Sequence, residues 1–387
     1  MVRGYVDATY PEYTPPRRNF ISIQNSRTTN CKGSTPLPVR TGYERVLAYR
    51  SDDIYATVSR QDGEVVGLTN KVIQVRYKDG SEQEIELGLR YGEWSGKTMP
   101  HTLITNLKLG DKFKSDTPIA WNENFFAKDT LTGGLVYKPG ILARVVLKDD
   151  ADTWEDGCAI HTDFASKMET SRVDKRDILL DSTQEIRNLL EIGTEVESDS
   201  ILCTVFNPSE GSKDVFNQES IDSLRDLTSN SPLAKARGVI TDIEVYYTGQ
   251  KEDMSETIRD IVEAADAKLY KLRRALKKTG VDGSVDVGTR FSGTVLGPEK
   301  VLIRIKILTT ENMDTGSKLV ICHQMKSVVG RKIVDTFTTK SGQPIDVKFS
   351  TTSFSNRIVD SGDRVGTTGV LAVACTEAVV AAYRGTK

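Results

Sequence analysis

Short runs of alternating apolar and polar residues, separated by tight turns, recur along most of this 387-residue chain. The clearest example runs from Lys71 to Tyr77, turns at Lys78-Asp79-Gly80, and alternates again from Glu84 to Leu87. An Asp-Gly pair between two alternating runs indicates a β-hairpin, because glycine accepts the positive φ that the turn requires. Val301 to Leu308 is β-branched and apolar with basic residues between, which predicts a strand with one solvent-facing side. The alternation therefore predicts a mainly β fold.

A second pattern places apolar residues three and nine positions after a glycine, and it begins at Gly110, Gly193 and Gly362. This spacing predicts a strand end, a tight turn and a return strand whose apolar residues face one core. Such units favour compact barrels, because closure removes exposed sheet edges. Gly369 to Ala382 is small and apolar throughout, and we expect it to be buried.

Helix is predicted mainly in one segment. Asp253 and Glu256 have the spacing of a capping box. Apolar residues then fall on one helical face as far as Leu276, and basic residues occupy the last turns, where the helix dipole favours cations. Gly280 is the expected stop. The pattern predicts a long helix near 254–279, within an α+β stretch inserted at about 190–300.

Composition and charge limit the classes of protein that this chain can belong to. The mean hydropathy is -0.36. No apolar run approaches the roughly 20 residues that span a bilayer, and the N-terminus lacks the apolar core of a signal peptide. We therefore expect a cytoplasmic protein with no membrane contact. The net charge of -2 gives no overall positive charge for binding nucleic acid, so such binding would require a local basic channel on a nearly neutral protein. The five cysteines are far apart with no CxxC, which predicts free, buried thiols.

Four short islands contain acids, lysines and arginines in a fixed order along the chain. They are Thr41-Gly42-Tyr43-Glu44-Arg45, Trp154-Glu155-Asp156-Gly157, the pair Lys318 and Lys326, and Asn356-Arg357. Together they resemble the C-terminal half of the β subunit of bacterial-type multisubunit RNA polymerase. The version they most resemble is the split polymerase of giant bacteriophages, in which β and β′ are each made as separate pieces.

The resemblance extends through most of the chain. Arg18-Asn-Phe-Ile-Ser-Ile-Gln-Asn-Ser-Arg27 is similar to the family stretch NRALMGSNMQRQ, and Asp152-Thr-Trp-Glu-Asp-Gly157 to GYNFEDS. Gly342-Gln-Pro-Ile-Asp-Val347 resembles GTPVDIV, and Ser355-Asn-Arg357 resembles PSRMNIG. The segment from Gly316 to Lys326 resembles GDKMAGRHGNKG, but the arginine and both glycines between the lysines are absent here. A loop without those glycines cannot approach a backbone as closely as the family loop does.

The resemblance implies a fold and a domain organisation. The expected fold is mainly β with an inserted α+β region, built on a double-psi β-barrel core with hybrid and flap-like β modules. Residues 1–190 would form the first portion of the barrel, with a hammerhead-like β module near 40–125. Residues 190–300 would form a flap-like insertion, and residues 300–387 the second portion of the barrel with the lysine pair.

The resemblance also implies the site residues. Lys318 and Lys326 would contact the RNA 3′ end and the incoming NTP as the catalytic lysines. Nucleotide binding is expected from Arg357, Arg18, Arg27, Glu155 and Asp156, with Arg17 as a competitor for the role of Arg18. Adjacent carboxylates on an extended strand point to opposite faces. Asp156 is therefore the predicted inner residue, near the second magnesium ion.

The expected cofactor is Mg²⁺, held mainly by an aspartate triad on a β′-type partner. No Asp-x-Asp-x-Asp motif occurs in this sequence, so the chain is not expected to act alone. The implied activity is that of a DNA-directed RNA polymerase, a nucleotidyltransferase. The implied partners are a chain for the N-terminal half of β, β′-type chains, a promoter-specificity factor, template DNA, the RNA transcript and NTPs. The implied location is the cytoplasm of an infected bacterium, with packaging in the virion also compatible.

Two other hypotheses stay open at this point. The chain could be a non-catalytic structural or nucleic-acid-binding β-barrel subunit of a phage transcription or virion complex, which the altered lysine loop favours. It could also be an unrelated β-barrel that binds nucleic acid alone, and its binding would then be salt-sensitive.

Overall fold

The computed structural model describes residues 31–385 except 38–39, 41, 95–96, 130–131, 208–229, 281, 322–324, 341 and 357–359. Within this part the chain is mainly β and forms several sheets, as the alternation predicts. Strands are numbered β1–β23 and helices α1–α5 along the chain. The helices are α1 (Tyr43–Arg50), α2 (Thr162–Lys167), α3 (Glu256–Ala275), α4 (Thr351–Asn356) and α5 (Asp360–Arg384), and a 3₁₀ turn spans Lys251–Asp253.

The largest sheet has eight strands in the order β1-β8-β6-β13-β20-β17-β15, with β5 paired to β6. Its strands are β1 (Ala56–Val58), β5 (Gly88–Trp94), β6 (Lys97–Ile104), β8 (Pro118–Asn122), β13 (Thr170–Asp181), β15 (Glu195–Val196), β17 (Gly238–Tyr247) and β20 (Lys300–Glu311). The pairings between them are antiparallel. One face of β20 packs in the same core as Ile258 and Val262 of α3.

The prediction of a solvent-facing side for β20 is wrong. Arg304 and Lys306 are only 7% and 5% exposed. The neighbouring strands supply acids that neutralise them: Arg304 binds both carboxylate oxygens of Asp177 at 2.7 and 2.8 Å, and Lys306 binds Glu244 at 2.5 Å. Basic residues can lie inside this sheet because their charges are paired there.

A four-stranded sheet of order β4-β3-β2-β7 contains the predicted hairpin. Its strands are β2 (Gly63–Leu68), β3 (Val72–Tyr77), β4 (Glu82–Glu86) and β7 (Lys112–Phe113). The hairpin joins β3 to β4, and Gly80 has φ 85°, as the Asp-Gly turn predicts. Two-stranded ribbons are formed by β9 (Phe126–Lys128) with β10 (Leu135–Tyr137), β14 (Glu185–Arg187) with β16 (Thr204–Phe206), and β18 (Arg290–Phe291) with β19 (Thr294–Val295).

A five-stranded sheet positions the candidate site. Its order is β11-β23-β12-β22-β21, with strands β11 (Val145–Leu147), β12 (Gly157–His161), β21 (Lys318–Ile321), β22 (Met325–Ile333) and β23 (Val347–Phe349). The sheet is mixed: β11 runs parallel to β23 and β12 to β22, whereas β12/β23 and β21/β22 are antiparallel. Its core contains Cys158, Ile160, Met325 and Phe349. Segments almost 200 residues apart in sequence are thereby paired.

Helix α3 begins at a different cap from the predicted one. The Ser255 hydroxyl accepts the Ile258 N–H, whereas Asp253 lies in the preceding 3₁₀ turn. The helix ends at Ala275, and Lys277 already has a left-handed φ of 49°, so the stop precedes Gly280. The apolar face is confirmed where Ile258 and Val262 are buried.

The C-terminal segment also differs from the prediction. The third glycine pattern and the apolar run 369–382 lie in helix α5 rather than in a buried turn and strand. The helix is mostly exposed, with Val370 at 70% and Leu371 at 61%. Its apolar residues surround the helix instead of forming one stripe, so a single neighbouring element cannot cover them. By length and composition alone, Asp363–Arg384 could cross a membrane, contrary to the expectation that no apolar run is long enough.

Candidate functional site

The two lysines that the sequence singles out lie on one face of a β-hairpin. Lys318 pairs in register with Val328, and Lys326 with Val320. Residues opposite each other share a face and so do residues two apart, so both lysines project to the same side as diagonal neighbours, about 7–8 Å apart at Cβ. Both are exposed. The loop between β21 and β22, where the family glycines are replaced, lies outside the described residues.

The opposite face of this hairpin explains why the lysines point outward. Leu319, Met325 and Val329 are only 7%, 1% and 1% exposed, and they pack in the core of the five-stranded sheet. A shift of the pairing by one residue would bury the lysines and expose this apolar set. The core therefore determines which way Lys318 and Lys326 face.

The loop before β12 contains the predicted acids, and it is not extended. Glu155 has a left-handed φ of 51°, and residues 155–156 form a turn. The assumption that these carboxylates alternate along a strand is therefore wrong, and both residues are exposed. The turn is tight enough to require Gly157, where a Cβ would lie 2.9 Å from the Trp154 carbonyl oxygen.

Asp156 connects this loop to two other predicted segments. Its carbonyl oxygen accepts the Val328 N–H at 3.0 Å and the Ser327 hydroxyl at 2.7 Å, beside Lys326. Its carboxylate accepts the Ser353 hydroxyl at 3.0 Å. Ser353 belongs to α4, which ends at Asn356, next in sequence to Arg357. Ser327 adjoins Lys326, and Ser353 lies three positions before Asn356, so segments next to two other islands contact Asp156.

The other nucleotide-binding candidates cannot be located in the same way. Arg18, Arg27 and Arg357 lie outside the described residues, as does Arg17.

A large cavity opens beside the lysine hairpin. Its volume is about 1550 Å³, and it extends from the hairpin to helix α5. Its lining includes Lys318, Lys326, Met325, Phe354 and Val370. A cavity of this size with two lysines and an apolar wall can admit an anionic ligand that also has an apolar part.

Sequence reasoning missed the residues that hold the acidic loop in place. Lys348 of β23 lies between Asp150 and Asp152, with its Nζ 2.8 and 3.0 Å from their carboxylates. Asp149 accepts the Ser350 hydroxyl at 2.8 Å. The acids of the stretch Lys148-Asp149-Asp150 have partners on β23 and in the residue that follows it. The one sequence feature that could have indicated this pairing is a lysine between two apolar residues of a short strand, Val347-Lys348-Phe349.

The described residues include no group of three or more His, Cys, Asp or Glu side chains that could hold a metal ion. Within the described residues, Cys158 and Cys203 are buried free thiols, as predicted, whereas Cys375 is exposed and Cys31 is half-buried.

No family model matches the chain. Over 317 residues, however, it is 25% identical to a protein from Chlorobium chlorochromatii (strain CaD3) named DNA-directed RNA polymerase subunit beta. The chain is similar to an RNA polymerase β subunit. The aligned part covers 70% of this chain and 24% of that relative, so the chain spans about a quarter of the relative's length.

Proposed function

We propose that this chain is the β-side, C-terminal fragment of a multisubunit DNA-dependent RNA polymerase, which binds the incoming NTP and the RNA 3′ end. The remaining parts would come from a chain for the N-terminal half of β, β′-type chains and a promoter-specificity factor, as in the split polymerases of giant phages. The complex would act on template DNA in the cytoplasm of the infected host. The mixed parallel and antiparallel five-stranded sheet is compatible with a double-psi barrel.

The observation that carries this proposal is the convergence at Asp156. A loop, a lysine hairpin and the helix before Arg357 are far apart in sequence, yet Ser327 and Ser353 both bind Asp156. Independent surface features would have no reason to meet at one residue. A site for a triphosphate and a nucleic-acid end needs its charged groups held in one place, and the contacts of Asp156 with the segment beside Lys326 and with α4 support that function.

The chemistry assigned to each residue follows from its charge and shape. The ammonium groups of Lys318 and Lys326 would offset phosphate charge at the RNA end and on the NTP. Arg357 would bind the triphosphate with its planar fork, which a lysine cannot replace, and Arg18 and Arg27 would assist it. Asp156 would orient the nucleotide from the loop beside β22, with Glu155 next to it.

Magnesium is assigned to the β′-type partner, with Asp156 near the second ion. When bound, Mg²⁺ neutralises the phosphates and assists departure of pyrophosphate. One carboxylate at Asp156 fits an auxiliary role and not a complete metal site, because the described residues contain no cluster of three ligands.

The test is reconstitution of the complex. The tagged chain should co-purify with β′-type polypeptides from its native source, and the complex should extend an RNA primer on a DNA template. Lys318→Ala and Lys326→Ala should each slow NTP addition by about 100-fold, as loss of a charge-stabilising group in an active site does. Lys71→Ala, which changes an exposed lysine in the turn between β2 and β3, is the matched control. Normal elongation by both lysine variants would favour the non-catalytic alternative.

A further inference from the structure

Lys348 is a charged residue in the middle of a buried strand. Its neighbours Val347 and Phe349 are 1% and 0% exposed, and its own side chain is 10% exposed. A lysine in such a place costs free energy unless its ammonium group is paired. Asp150 and Asp152 provide that pairing at 2.8 and 3.0 Å. The lysine and its two acids are separated by almost 200 residues of sequence.

Lys348, Asp150, Asp152 and Arg331 form an ion cluster that attaches the loop to the five-stranded sheet. Arg331 of β22 binds the other oxygen of Asp152 at 3.1 Å, so this carboxylate bridges two strands. Within the loop, the Asp152 N–H donates to the Asp150 carboxylate at 3.0 Å, and the buried Thr153 hydroxyl donates to the Lys148 carbonyl at 2.7 Å. The backbone from Lys148 to Thr153 is therefore fixed from both sides.

The fixed part of the loop leads directly to Asp156. Two residues separate Thr153 from it, and Gly157 begins β12. Asp156 is thus anchored from one side by Ser327 and Ser353 and from the other by the ion cluster. Without the Lys348 charge, Asp150 and Asp152 would repel each other, and the loop would lose the ion pairs that attach these two carboxylates to β23.

We propose that Lys348 is a positioning residue, which holds the loop 148–156 so that Asp156 presents its carboxylate beside the lysine hairpin. This inference rests on the proposed function for its catalytic consequence, but its structural part can be tested in the isolated full-length chain.

The kinetic test uses Lys348→Met in the reconstituted complex, with active complexes counted by titration. A positioning role predicts that the KM for NTP rises about 10- to 100-fold, as displacement of a binding group by about 1 Å would cause, while kcat per active complex changes much less. Lys332→Met is the control. It removes a different lysine ion pair, that of Lys332 on β22 with Asp314 at 2.9 Å, and Asp314 lies outside the loop 148–156. A merely structural role would lower the number of active complexes and leave KM unchanged, which would overturn the proposal.

A double-mutant cycle separates positioning from an independent effect. If Lys348 acts through Asp156, the effect of Lys348→Met on KM should largely disappear in an Asp156→Ala background. Fully additive effects would contradict the proposal. If Lys348→Met does not fold, Asp152→Asn carries the same test, because it weakens the cluster while leaving Lys348 paired with Asp150.

The spectroscopic test does not require polymerase activity. Trp154 lies in the same loop and is 78% exposed, so a chain labelled with 5-fluorotryptophan reports on it by ¹⁹F NMR, with the signal assigned from Trp154→Phe. Lys348→Met should shift or broaden the Trp154 resonance, and Lys332→Met should not. An unchanged resonance in Lys348→Met would overturn the proposal. A wild-type complex that makes no RNA would instead disprove the proposed function, and the NMR result would still decide the role of Lys348.

Discussion

The Ser353 hydroxyl donates a hydrogen bond to the Asp156 carboxylate at 3.0 Å, across 197 positions of sequence. Ser353 is 8% exposed, so little solvent competes for this contact. Through it, the helix that leads to Arg357 is tied to the loop that adjoins Lys326. This contact joins two segments of the candidate site within one chain.

Ser353→Ala should therefore weaken both the fold and the site. A hydrogen bond of this kind contributes about 1 kcal/mol to the free energy of unfolding, which urea titration can measure. In the reconstituted complex the KM for NTP should rise as well. Thr352→Val is the matched control, because it lies in the same helix but contacts Asp149, and its change should stay within about 0.5 kcal/mol. Equal effects of the two variants would contradict a special role for the contact with Asp156.

The buried pair Arg304–Asp177 gives a second prediction. Arg304→Met should lower the free energy of unfolding by about 3–5 kcal/mol, because it leaves the Asp177 charge without its partner inside the sheet. Arg172→Met removes an exposed arginine of β13 that pairs with Glu311 at 3.0 Å, and it should cost less than about 1 kcal/mol. Similar losses in the two variants, measured by urea unfolding, would show that burial does not determine the cost.

Stability should depend on His101 in mildly acidic solution. Burial lowers the pKa of His101 below its ordinary value of 6.5, and the nearby Arg90 charge lowers it further. Below pH 6.5 His101 is therefore more fully protonated in the unfolded chain than in the folded chain. The free energy of unfolding should fall as the pH drops below 6.5. The measurement is urea unfolding at pH 7.5 and 5.5 for wild type and His101→Gln. The variant should show a smaller fall, and an equal fall in both proteins would exclude His101 as the cause.

The cap of helix α3 provides the fourth prediction. Ser255→Ala should destabilise the protein by about 1 kcal/mol, because the Ile258 N–H loses its acceptor. The Ser255 hydroxyl also donates to the Gln184 carbonyl at 2.6 Å, which adds to the loss. Asp253→Ala, at the position that the sequence pattern favoured, should change stability by less than about 0.5 kcal/mol. Thermal or urea unfolding of the two variants distinguishes the caps. A larger loss of stability in Asp253→Ala than in Ser255→Ala would show that Asp253 caps the helix, as the sequence pattern predicts.

Local chemistry explains the parts of the fold that could be predicted. The hairpin from Val72 to Glu86 was predictable because alternation and the Asp-Gly turn act over a few residues. The apolar face of α3 was predictable for the same reason, although two neighbouring polar residues competed for its cap. Helix α5 was not predicted, since small apolar residues are compatible with a buried strand or an exposed helix until the surrounding structure is known.

The candidate site was likewise predictable from the sequence only in part. The islands with Asp156, Lys318 and Lys326 could be found in sequence because their residue types and order resemble a known family. That both lysines share a face followed only from the register of β21 and β22, and the extended geometry assumed for Glu155 and Asp156 was wrong.

The sequence by itself determined the alternation, the turns and the order of charged islands, because these depend on neighbouring residues. Only the tertiary structure decided that Lys348 meets Asp150 and that Arg304 is buried against Asp177. Electrostatic pairing depends on distance in space, and partners 127 to 198 positions apart come together only when the sheets form.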